Sequence, residues 1–314
     1  METWLVAILD TFANCVTINI ICLFGIVGNC LNITVLYKHG FNKSTNIILL
    51  ALSISDLHFT ILLPVTRLKC IVGHFNANLA ETVDTFATVY FFMPKFVCLG
   101  SSFYYVALIA VERFVAVFYP FQVSKLFTKK RVLILVVCIF LISVGTISPT
   151  FFSFRYVWLF DPVSNQTLAH VTYTEFYVAR HEFLDFYMWV GMNNFFCAVS
   201  MLIVFVCCLS ICLKLVRVSV KRELMTSGAV GFDVKVVKML VTVCSIYLSV
   251  AVPTITMYTY FKPNFIFVSP IHKLMNDVCD ILYALNASVN FLVYVSMSQK
   301  FANTYRKLFR LGSR

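Results

Sequence analysis

Seven stretches of this 314-residue chain are apolar for long enough to cross a bilayer: near 14–37, 45–68, 86–118, 132–154, 186–216, 234–261 and 269–295. A hydrocarbon core is spanned by roughly 20 helical residues, so each stretch predicts one transmembrane helix. The polar connections are short, except the one between spans four and five. After span seven, Phe301, Tyr305, Leu308 and Phe309 share one helical face, with Lys300, Arg306, Lys307 and Arg310 beside it. That pattern predicts an amphipathic helix over 298–311 lying on the membrane surface. The expected fold class is therefore an all-α membrane protein: a seven-transmembrane helix bundle with a short C-terminal surface helix, forming one domain over 1–314.

Composition agrees. Hydrophobic residues make up 60% of the chain and charged residues 12%, more apolar surface than a soluble fold of this length can bury. The net charge of +11 is a matter of topology. Lys38 and Lys43 follow span one; Lys125, Lys129, Lys130 and Arg131 follow span three; Lys214, Arg217, Lys221 and Arg222 follow span five; the last cluster follows span seven. All lie on one side, which the positive-inside rule makes cytosolic. The N-terminus is then outside and the C-terminus inside, in a multi-pass plasma-membrane protein, and the charge gives no reason to expect nucleic acid. The acids Glu81, Asp84, Asp161, Glu175 and Glu182 fall on the outer side. So does Asn165-Gln166-Thr167, an expected glycosylation acceptor. The first apolar stretch is full length and is expected to act as its own insertion signal.

The chain has no H-E-x-x-H, no glycine-rich phosphate loop and no Cys/His metal spacing, so neither an enzyme nor a cofactor is expected. Polar residues inside the spans carry more information. Counted inward from the cytosolic ends at about 1.5 Å per residue, Asp56, Ser102, Asn286 and Asn290 all lie roughly 12–18 Å deep. Four polar groups in one layer make either a satisfied structural network or a site for a hard cation such as sodium. Glu112-Arg113-Phe114 closes span three and needs a partner or a task, because charge near lipid is costly.

These residues resemble the rhodopsin-like family of G-protein-coupled receptors. Gly28-Asn29 is similar to its span-one pair, Leu52-Ser53-Ile54-Ser55-Asp56-Leu57 to its span-two motif, and Glu112-Arg113-Phe114 to its E/DRY triplet. Pro253 matches its span-six proline, and Asn286-Ala-Ser-Val-Asn290-Phe-Leu-Val-Tyr294 its NSxxNPxxY stretch. The resemblance implies a heterotrimeric G protein as partner and an extracellular ligand, small molecule or short peptide, of chemosensory or neuropeptide-like type. It also implies a sodium role for the mid-membrane carboxylate and a switch built from Glu112, Arg113, Phe114, Asp233 and Tyr294. Asp233, at the inner end of span six, would join Glu112 in holding Arg113 at rest. A transporter or channel is the alternative, since intramembrane charges also suit a substrate path, but no internal repeat is visible.

The chain departs from the family at several points. Thr88 stands where a cysteine normally bridges to the second outer loop, and no cysteine occurs between Phe151 and Trp189. Cys15, Cys70 and Cys279, near outer span ends, are candidates for a substitute bridge. Ala251 replaces an aromatic switch residue and Phe291 the span-seven proline. Ala284 occupies the position of the retinal lysine in opsins, which argues against vision. Lys95 stands where amine receptors keep an aspartate, which argues against amines. Lys95 and Asp280 lie at equal depth, roughly 27 Å from the cytosolic ends. They are expected to meet in the ligand pocket, with Tyr283, Met257, Tyr258, Cys98 and Leu99 as walls. There the pair is either an internal salt bridge or the place where an anionic ligand group competes with Asp280 for Lys95.

Overall fold

The structure, a computed structural model, describes residues 11–162, 164–223, 232–261, 270–297 and 302–307. The long helices are α1 (Ile18–His39), α2 (Ser44–Val65), α3 (Phe92–Phe118), α4 (Lys129–Phe151), α5 (Val199–Glu223), α6 (Phe232–Phe261) and α7 (Pro270–Met297). Six helical segments among the described residues are long and apolar enough to cross a membrane. The 30-residue α6 takes the remaining place. One buried apolar cluster runs through the bundle from Ile18 to Ala287.

The glycine and asparagine of span one explain how α1 and α7 meet. A Cβ on Gly28 would come 2.9 Å from the Cβ of Phe291, so only glycine permits this approach. Asn29 then donates from Nδ2 to the Ala287 carbonyl at 3.0 Å, which gives the buried amide's donor a partner. Phe291, unlike proline, keeps its backbone N–H, and α7 runs unbroken from Pro270 to Met297.

Span three starts later than the apolar run suggests. A separate helix, Ala77–Tyr90, ends at Phe91, whose φ of −113° departs from the helix. Pro94 lacks the N–H that the Tyr90 carbonyl would accept, so the break falls there for a covalent reason.

The segment that follows α4 begins as strand before helix resumes towards α5. It forms an antiparallel hairpin, β1 (Phe154–Asp161) with β2 (Gln166–Tyr173), in register from Phe154 opposite Tyr173 to Asp161 opposite Gln166. Aromatic and β-branched residues fill both strands, as strands prefer. Asn165 sits at the tip with φ +53°, a conformation asparagine tolerates, and is exposed. No cysteine holds this hairpin. Instead the buried Thr85 hydroxyl donates to the Ala169 carbonyl at 2.8 Å, and the Phe86 ring packs 5.2 Å from Tyr156 and 6.2 Å from Trp158.

A different bridge is present. Cys15 and Cys70 are disulfide-bonded with Cα atoms 5.6 Å apart, joining the π-helical entry to α1 (Ala13–Thr17) with the short helix Leu68–Val72 after α2. Cys279, the third candidate, is a buried free thiol whose Sγ lies 3.5 Å from Met257 Sδ.

Residues 302–307 are helical, as the amphipathic pattern predicts. Phe301, Leu308, Phe309, Lys300 and Arg310 lie outside the described residues. Tyr305 is buried, its ring 5.1 Å from Phe291 and its hydroxyl donating to Asn32 Oδ1 at 2.8 Å, so this helix is fastened to α1 and α7.

Candidate ligand site and cytosolic switch

Lys95 and Asp280 do meet. Lys95 Nζ lies 3.3 Å from Asp280 Oδ2, and the two residues are 1% and 4% exposed. The ammonium is also 4.9 Å from the centroids of Phe92 and Phe96, whose faces attract a cation. Two partners come in addition. Arg67 reaches Asp280 Oδ2 at 2.7 Å and Asp277 Oδ1 at 3.0 Å, making a four-membered alternating chain of charge at the outer end of the bundle. Asp277 and Asp280 are spaced i, i+3 and so share a face of α7. That spacing is the signal by which the sequence could have disclosed Asp277. Arg67 gives no such signal, because it lies beyond Pro64 in the turn that ends α2.

Beside this cluster opens a cavity lined by residues including Phe92, Phe96, Leu99, Phe103, Tyr258 and Tyr283. Leu99, Tyr258 and Tyr283 are among its walls. Met257 and Cys98 are not. Met257 Sδ is turned to Cys279. Cys98 is half-buried and, one residue from Leu99, is rotated about 100° away from the cavity. The far wall comes from the entry to α5, where no proline interrupts the chain and the backbone winds as two π-helical stretches, Tyr187–Met192 and Asn194–Ala198. Asn193 between them accepts from the Tyr283 hydroxyl at 3.4 Å. Phe103 packs edge-on against Tyr247 at 5.6 Å and tilted against Tyr283 at 5.8 Å. An aromatic from span three thus joins spans six and seven, one turn from the small Ala251.

Deeper, Asp56 is fully buried. Its Oδ1 accepts from Ser102 Oγ at 2.5 Å and its Oδ2 from Asn290 Nδ2 at 2.7 Å. Asn286 is buried but makes no hydrogen bond to Asp56 among the described residues, so three of the four expected members come together. These donors satisfy the carboxylate without an ion. A carboxylate with a hydroxyl and an amide beside it is also a donor set of the kind a hard cation takes.

At the cytosolic end, Glu112 does not hold Arg113. Its Oε1 accepts from Ser44 Oγ at 2.6 Å and Thr45 Oγ1 at 2.9 Å, at the N-terminus of α2, where a helix dipole favours negative charge. Arg113 is half-buried and lines a recess with Lys43, Phe127 and Lys129. Phe114 stacks on Phe118 at 4.4 Å, and the Lys214 ammonium lies 4.4 Å from the Phe118 ring while donating to the Val117 carbonyl. Tyr294 is buried beside Val35, Leu36 and Tyr305. Asp233 begins α6, but its side chain lies outside the described residues.

The sequence model of the 7 transmembrane receptor (rhodopsin family) matches residues 28–294. The chain belongs to that family. It is 25% identical over 307 residues to the growth hormone secretagogue receptor type 1 of Oryctolagus cuniculus, covering 94% of this chain and 79% of that one. It is similar to the human galanin receptor type 1, at 24% over 307 residues and 96% and 82% coverage. A shorter match, 31% identical over 140 residues, joins it to a QRFP-like peptide receptor of Branchiostoma floridae, covering 42% of this chain but 34% of that receptor.

This rhodopsin-family receptor is accordingly a multi-pass plasma-membrane protein that binds an extracellular ligand and couples to a heterotrimeric G protein. The cavity lies towards one end of the bundle, Asp56 midway, and Arg113 and Tyr294 towards the other end. What it lacks, the outer loop's disulfide, is replaced by packing and one buried hydrogen bond.

Proposed function

We propose that this receptor responds to an extracellular peptide, and that an anionic group of the peptide displaces Asp280 from Lys95. The observation that carries this reading is the Lys95–Asp280 pair, held 3.3 Å apart and buried beside a cavity lined largely by aromatic residues. A ligand carboxylate offers Lys95 the same bond. Asp280 need not stay unpaired when it yields, because Arg67 remains 2.7 Å away. The exchange therefore releases α7 from α3 without stranding a buried charge, and stranding one is what makes such exchanges costly. Two of the receptors similar to this chain have "peptide receptor" in their names, the QRFP-like one and the FMRFamide peptide receptor frpr-18 of Caenorhabditis elegans. That favours a peptide over a chemosensory small molecule. The Cys15–Cys70 disulfide suits an oxidising compartment and so supports an outer N-terminus.

The test is a screen of synthetic peptides in cells expressing the full-length receptor with a promiscuous G protein. With an active peptide in hand, Lys95→Ala is expected to keep surface expression and lose about a hundredfold in potency, the scale of removing one partner of a buried charge pair. Wild-type potency in that variant would overturn the assignment.

We further propose that Asp56, Ser102 and Asn290 hold sodium in the resting receptor. Sodium would then lower agonist affinity by reciprocal coupling, typically about 5–150-fold. Asp56→Asn is expected to abolish that dependence in radioligand competition with and without sodium. If wild type and variant are equally insensitive to the ion, the cluster is structural.

A further inference from the structure

Within the apolar cavity one polar group has nothing to bind. Asn193 Nδ2 is buried and has no hydrogen-bond partner among the described residues, although Oδ1 of the same amide is engaged by Tyr283. Buried amide N–H groups are almost always paired, so an orphan donor that lines a ligand cavity marks the place of a missing acceptor. The surfaces around it belong to rings and sulfurs: Phe103, Phe196, Met188 and Met192 all face the same space. Rings pack edge-on against rings, and thioethers sit favourably at ring edges. Among the described residues, no charged one lines this space.

We infer that this cavity receives an aromatic residue of the peptide, and that the backbone carbonyl oxygen of that same residue accepts from Asn193 Nδ2. The inference rests on the peptide-receptor reading and assigns the specificity of the same site: Lys95 selects the anionic group, the ring wall selects the aromatic, and Asn193 sets its depth. The π-helical winding on either side of Asn193 places the amide at the wall. Such single-turn departures are frequent at functional sites.

Three probes separate these contributions: succinyl-Ala-Ala-Phe amide, its Leu counterpart, and succinyl-Ala-Ala-phenethylamide, which keeps the ring and drops the terminal carbonyl. Thermal unfolding of the purified full-length receptor reads binding directly. The Phe amide is expected to raise Tm with dose, and each of the other two to require at least about a tenfold higher concentration, the scale of one lost hydrogen bond or poorly filled cavity. Asn193→Leu should bring the Phe amide and the phenethylamide to equal half-saturation. Asn193→Asp, of the same size but with an acceptor for a donor, should do the same to the two probes. No shift with the Phe amide, equal half-saturation of the Phe and Leu amides, or a preference undiminished in both Asn193 variants would overturn the inference. Stabilisation that depends on Asn193 but gives no G-protein response in cells would uphold it and count instead against the peptide-agonist reading.

Discussion

Asp280→Asn is expected to destabilise the receptor by about 3–5 kcal/mol, the usual cost of removing one partner from a buried ion pair. The residue it strands is Lys95, whose side chain is 1% exposed. Its other neighbours are the Phe92 and Phe96 rings at 4.9 Å, and cation–π attraction of about 0.5–2 kcal/mol does not make up the loss. Arg67 suffers less, because it keeps Asp277 at 3.0 Å and its side chain is 20% exposed. The reverse substitution is milder for the same geometric reason: in Lys95→Ala, Asp280 still has Arg67. The order of effects should therefore be Asp280→Asn well above Lys95→Ala, and Lys95→Met combined with Asp280→Asn should recover most of the loss, since no charge is then left alone. Thermal unfolding of the purified variants decides it. Equal loss in the two single variants, or no recovery in the double, would mean that Lys95 does not depend on Asp280.

Depth was legible in the sequence and direction was not. A helix rises about 1.5 Å per residue whatever its neighbours do, so counting from the cytosolic ends brought Lys95 to Asp280 and Asp56 to Ser102 and Asn290. The same count says nothing of the way a side chain faces, and the errors are of that kind. Cys98 is one residue from the pocket wall Leu99 but turned off it, and Glu112 is adjacent to Arg113 but turned to Ser44 and Thr45. Arg67 escaped because it stands past Pro64, where the α2 register no longer applies. Asn193 escaped because a π-helical turn shifts the register of every residue near it, and nothing in the local composition announces that winding. The β1–β2 hairpin was hidden by its surroundings. Trp158, Leu159 and Phe160 are three consecutive exposed apolar residues, so the alternation by which a half-buried strand is recognised is missing there.

Breaking the Cys15–Cys70 disulfide, by reductant or by Cys15→Ser with Cys70→Ser, is expected to lower stability by about 2–4 kcal/mol. The bridge closes a sequence separation of 55 residues, long enough for the unfolded chain to gain considerable freedom on its loss. A local consequence follows in the native state. Cys70 lies on the short helix Leu68–Val72, and Arg67 is that helix's N-cap residue, so the disulfide steadies the segment that brings Arg67 to Asp277 and Asp280. The hairpin should behave differently. Its attachment through Thr85, Ala169 and the rings of Phe86, Tyr156 and Trp158 contains no sulfur, so reductant should lower Tm while leaving the hairpin as resistant to limited proteolysis as before. In a relative with the usual bridge to the second outer loop, reduction should expose the hairpin first. A wild-type Tm unmoved by reductant and matched by the double serine variant would show that the bridge contributes nothing. Early cleavage within 154–173 on reduction would show that the hairpin depends on it after all.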